Sequence, residues 1–151
     1  MRVLLVDEDV PFLETLQSFL WDRGYEAEIA TDVAECEIVL REFAPDVLIL
    51  RTELAGDGRA GLLAQMLDDP ALSGIPTILT TESHPLDVSG IPTDVPLAGW
   101  LSKPFSLSDL LAGISTAASF RAEQALSRQR NVVSEGAACH IPVASAALAA
   151  R

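Results

Sequence analysis

Five short apolar runs recur along the chain, at Arg2–Val6, Tyr25–Ala30, Val47–Leu50, Pro76–Thr80 and Trp100–Ser102. Each is too short to be a helix. Most are apolar on both faces, so as strands they need cover on both sides, which a parallel sheet wrapped in helices provides. Only Tyr25–Ala30 alternates. Parallel neighbours cannot be joined by a hairpin and need a crossover, usually a helix. Between the runs the sequence supplies such segments, and this alternation predicts an α/β domain with a five-stranded, doubly wound parallel sheet.

Asp9 caps a helix running from Val10 to about Arg23, with Pro11 in its first turn and Gly24 at its end. Phe12, Leu13, Leu16, Phe19 and Leu20 form its apolar stripe. Asp32 caps a second helix to about Phe43, with Val33, Cys36, Val39 and Leu40 on one face and Pro45 beyond it. Gly61–Leu67 reads as a short helix, and a strong helix runs from Ser106 to about Arg130. Leu107, Leu110, Leu111, Ile114 and Ala118 supply its sheet-facing positions. The alternation fails once. Between Thr81 and Trp100 the prolines at 85, 92 and 96 remove backbone donors and disfavour helix at the residues before them. An irregular, proline-rich loop is expected there in place of a fourth helix.

With 151 residues the chain is one domain of ordinary size. Acids outnumber bases 22 to 10, for a formal charge of −12. That balance argues against nucleic acid or anionic membrane as a partner, since both need basic patches. No apolar stretch has membrane-spanning length, and MRVLLV enters a strand with no signal-peptide layout, so a cytoplasmic location is expected. Cys36 and Cys139 are too few for a disulfide framework or a zinc site, and neither His84 nor His140 has a catalytic or metal-binding set around it.

In such a fold functional groups gather at the carboxyl ends of the strands. The first run leads into Asp7-Glu8-Asp9, the third into Arg51, the fourth into Thr81 and the fifth into Lys103-Pro104. Acids that can hold a hard cation, with a hydroxyl and an ammonium for phosphoryl oxygens, make a magnesium-dependent phosphoryl site. In VLLVDED, PDVLIL, IPTILTT and WLSKPF, in this order and spacing over roughly residues 2–120, the chain resembles the response regulator receiver domain of two-component signalling. The resemblance implies the flavodoxin-like receiver fold. It gives Asp7 and Glu8 the metal-binding positions, Thr81 the switch hydroxyl and Trp100 the switch aromatic. Lys103 takes the site lysine and Pro104 the cis proline.

The chain departs from the family at the acceptor. The residue after PDVLIL, an aspartate in the family, is Arg51, whose guanidinium stays protonated and cannot attack phosphorus. Asp7, Glu8, Arg51 and Lys103 sum to zero charge, where the family's usual pocket is anionic and draws in a divalent cation. The guanidinium fork is expected to bind Asp7 and Glu8, and Glu82 to crowd the pocket or pair with Arg51. No cofactor is expected, and Mg2+ binding, by Asp7 and Glu8 if anywhere, should be weak or absent. No catalytic residue is expected. Two alternatives remain: a receiver phosphorylated on another acid, with Asp57 or Glu53 in the following loop, and a haloacid-dehalogenase-type phosphatase using Asp7 and Asp9. The second lacks an acidic pair after Lys103 and a cap domain.

Residues 1–119 are read as the receiver-like domain, and 120–151 as an extension of the last helix with an Ala-rich tail. Residues 119–151 hold four Arg and two Glu, against 20 acids and six bases before them. Phe120, Ala125 and Leu126 lie beyond the sheet, an apolar stripe fitted to a protein partner or a second copy. The expected function is a phosphorylation-independent signalling or scaffold module working through protein contacts, a homodimer through the last helix being one form.

Overall fold

The structure, a computed structural model, describes residues 1–52, 61–82, 91–92 and 94–137. Five parallel strands form one sheet: β1 (Arg2–Val6), β2 (Glu26–Ala30), β3 (Val47–Arg51), β4 (Thr77–Thr81) and β5 (Leu97–Ser102). Their order across the sheet is β2-β1-β3-β4-β5. The helices are α1 (Val10–Asp22), α2 (Val33–Phe43), α3 (Leu62–Leu67) and α4 (Leu107–Ala137).

Alternation along the strands divides the core into two layers. Leu4, Val6, Leu48, Leu50 and Leu79 face one side, where Cys36 and Leu40 of α2 and Leu62, Leu63 and Met66 of α3 cover them. Val3, Leu5, Val47, Ile49 and Ile78 face the other, under Leu13, Leu16 and Leu20 of α1 and Leu110, Ile114 and Ala117 of α4. The central strands are therefore apolar on both faces, as their composition requires. Asp9 accepts from the Phe12 amide at 3.2 Å and Asp32 from the Glu35 amide at 2.7 Å, which satisfies amides left open at each helix start. Gly24, at φ 89°, makes the reversal after α1 that a side chain would strain.

Several boundaries differ from the sequence expectation. β5 starts at Leu97, not Trp100, because parallel pairing with β4 draws in Leu97, Ala98 and Gly99 despite their weak strand preference. The last helix continues to Ala137 rather than ending near Arg130. On it Ala117, not Ala118, completes the buried face, since Leu110, Ile114 and Ala117 follow the i, i+4, i+7 spacing, while Leu107 stays 39 % exposed. The proline-rich loop expected in place of a fourth helix falls mostly outside the described residues.

Candidate functional site

Four strand ends converge at the carboxyl edge of the sheet, and their register sets the pocket. Arg51 ends β3 opposite Thr80, and Thr81 ends β4 opposite Ser102, one residue before Lys103. The Lys103 amide donates to the Thr81 carbonyl at 2.8 Å, which ties the lysine to the strand end. Asp7, directly after β1, is anchored by its amide on the Ala30 carbonyl and is buried. The Lys103–Pro104 peptide bond is cis.

The pocket's charges are paired within the chain. Lys103 Nζ lies 2.5 Å from Asp7 Oδ2, with both side chains almost out of solvent, 15 % and 4 % exposed. The other Asp7 oxygen accepts from the Asp9 amide at 3.1 Å. Arg51 Nη1 donates to Glu8 Oε1 at 2.7 Å, from a guanidinium mostly buried against a carboxylate mostly in water. Glu82 approaches Lys103 at 3.8 Å.

This arrangement corrects one sequence expectation. The partner that the structure gives Asp7 is Lys103, with Arg51 on Glu8, so the two acids are divided between two cations rather than shared by one fork. Of the two expectations for Glu82, to crowd the pocket or to pair with Arg51, the structure shows the first, with Glu82 3.8 Å from the pocket lysine. The reason is geometric: β4 and β5 are neighbours, so the residues just past Thr81 and Ser102 emerge side by side. Thr81 is buried at the carboxyl end of β4. Glu53, Asp57, His84, Cys139 and His140 lie outside the described residues.

A feature that sequence reasoning did not find is the ring of Phe12, 4.4 Å from Lys103 Nζ at its centroid. The stripe of α1 marked Phe12 only as apolar, and a signal for its second role would have needed the position of α1 over the strand ends. Asp9 serves as the cap of α1, its side chain accepting from the Phe12 amide.

Trp100 stands on β5, an edge strand with no residue fully buried, and is 41 % exposed. Beside it a shallow groove of about 280 Å³ opens between β5 and α4, where Gly99, Ala112 and Gly113 leave room. Along α4, Phe120 is half-buried and Ala125 and Leu126 are exposed. Arg121 ties α4 to the link between α2 and β3, donating to the Pro45 carbonyl at 3.4 Å and to Asp46 at 3.3 Å.

Magnesium in this fold would need oxygen ligands that are free to turn toward it. Asp7 already receives Lys103 and the Asp9 amide, Glu8 receives Arg51, and a cation occupies position 51. The donor set does not fit the ion. Among the described residues no group of three His, Cys, Asp or Glu side chains is placed to hold a metal. No described helix is long and apolar enough to cross a membrane.

Known proteins share the sequence pattern and the fold. Protein Rrf1 of Nitratidesulfovibrio vulgaris is 30% identical over 117 residues, covering 77% of this chain and 81% of Rrf1. The non-phosphorylated HemR receiver domain of Leptospira biflexa superposes with a TM-score of 0.65 at 26% identity, covering 78% of this chain and 94% of that domain. The chain belongs to the response regulator receiver family. Response regulator MprA of Mycobacterium leprae is 33% identical over 115 residues, 76% of this receiver but 49% of MprA. The receiver spans about half the length of MprA and of the probable transcriptional regulator ycf29 of Pyropia yezoensis, where the share is 51%. No protein-family model matches the sequence.

Proposed function

We propose that this receiver is a pseudo-receiver, a non-enzymatic signalling or scaffold module that works through protein contacts without accepting phosphate. The observation that carries the reading is the pair of ion contacts, Arg51 on Glu8 and Lys103 on Asp7, where the family places an acceptor, a cation and a phosphoryl-binding lysine. A guanidinium at the end of β3 offers no nucleophile. Lys103 is held by an acid, and the carboxylates that would recruit Mg2+ already have counter-charges. With no phosphate to bias its two states, the domain's surface is set by its sequence and by a partner's differential affinity.

The surface available to a protein partner includes exposed Trp100, the groove beside it, and the part of α4 beyond Arg121 with Ala125 and Leu126. A second copy docking along that part of α4 would give a homodimer. Residues 1–119 form the receiver unit in this reading, and 120–151 the extension that carries the contacts. The charge of −12 weighs against nucleic acid or membrane as partner, and the setting is the cytoplasm, as for two-component signalling generally.

Beryllofluoride with magnesium, a mimic of the aspartyl phosphate, tests the reading by amide NMR. The Thr81 amide and Trp100 indole resonances are expected to stay in place. Saturable shifts of these signals would contradict it. A chain ending at residue 119 that self-associates and binds its partner as the full chain does would rule out the part of α4 beyond Arg121 as the contact surface.

A further inference from the structure

We infer that Phe12 is a positioning residue for Lys103, its ring face holding the ammonium inside the pocket while Asp7 binds it from another side. The inference concerns the same pocket as the proposed function and rests on that reading for its consequence.

Asp9 caps the Phe12 amide and Pro11 occupies the turn before it, so the start of α1 is fixed in direction. The ring meets Phe105 edge-to-face, with centroids 5.9 Å apart and planes at 75°, the favoured aromatic geometry. Lys103 and Phe105 therefore flank Pro104 and both touch Phe12, one through its ammonium and one through its ring. The electron-rich face of a ring attracts a cation most strongly where water is scarce, and Lys103 is only 15 % exposed. An ammonium has three donors and no acceptor. One is committed to Asp7, Glu82 stands at 3.8 Å, and the ring occupies the side turned to α1. An aliphatic residue at position 12 would fill the same stripe but leave that side without an electrostatic partner. The consequence is that any anion seeking Lys103 competes with Asp7 and with the ring together. Displacing the lysine would also release its contact with the ring at the start of α1.

Lys103 is the chain's single lysine. Lysine-selective isotope labelling therefore yields one side-chain signal with no assignment problem. In the wild type the Lys103 Hε resonance should lie upfield of its value in urea, as for protons above a ring face, and show an NOE to the Phe12 ring protons. Phe12→Leu should abolish the upfield shift, while Phe12→Tyr and Asp7→Asn should keep it. An unshifted Hε in the native wild type, or a shift that survives Phe12→Leu, overturns the inference. If Phe12→Leu does not fold, the wild-type NOE decides, and its absence overturns the inference as well. All arms are run without a phosphoryl donor or magnesium, so a receiver that did accept phosphate would leave them unchanged.

Discussion

Replacing Lys103 by methionine removes the ammonium from Asp7 while keeping a chain of similar length. Asp7 is 4 % exposed, so water cannot take over the role. At 2.5 Å the Coulomb attraction is about 6–7 kcal/mol with an effective dielectric of 20, most of it offset by the desolvation of both ions. Breaking such a pair from one side costs about 3–5 kcal/mol, because the remaining charge stays buried without a partner. Asp7→Asn should cost less, about 1–3 kcal/mol. The Asn oxygen can still accept from the Asp9 amide, and Lys103 keeps the Phe12 ring and Glu82. The double variant leaves no buried charge and should be more stable than Lys103→Met alone, giving a coupling energy of about 2 kcal/mol or more. Urea unfolding of the four proteins measures these values. Thermal melts should place Lys103→Met roughly 10 °C below the wild type, at about 2–4 °C per kcal/mol for a chain of this size. A Lys103→Met variant within about 1 kcal/mol of wild type would contradict a buried Asp7 that depends on the Lys103 ammonium. So would a double variant whose loss equals the sum of the single losses.

Arg51→Asp places a third acid beside Asp7 and Glu8, so millimolar Mg2+ should raise the melting temperature of that variant and leave the wild type's unchanged; equal responses would count against the paired-charge pocket. Burial first, then the neighbouring acids Glu37, Asp32 and Glu35, push the Cys36 thiol up from 9.0 to about 12. The folded state thus prefers the neutral thiol: its contribution to stability is complete below pH 9.0 and is lost as the pH climbs toward 12. Urea midpoints at rising alkaline pH should therefore fall more steeply for wild type than for Cys36→Ala, and parallel slopes would contradict this. Asp32→Ala removes the cap of α2 and should cost about 1 kcal/mol in urea unfolding.

The two-layered sheet was legible because buried parallel strands must be apolar on both faces, and Arg2–Val6 and Val47–Leu50 have no other use for such composition. The helix starts were legible through Asp9 and Asp32, whose short carboxylates reach the open amides. Legibility failed where tertiary contacts decide. Leu97, Ala98 and Gly99 become strand because β4 lies beside them, and a one-residue step between Ala117 and Ala118 is too small for periodicity to resolve. At the pocket, the sequence placed Asp7, Glu8, Arg51, Thr81 and Lys103 at one sheet edge through their positions after apolar runs. Which cation meets which acid depends on strand neighbours and side-chain reach, so the division of Asp7 to Lys103 and Glu8 to Arg51 was beyond it. The second role of Phe12 was hidden for the same reason.

Position 51 decides whether this receiver takes phosphate. The intact mass of the wild type and of Arg51→Asp after incubation with acetyl phosphate and magnesium tests this directly. The wild type is expected to gain no mass and the variant one phosphoryl group, with the modified peptide containing residue 51. A phosphoryl gain on the wild type, wherever it maps, would contradict the pseudo-receiver reading.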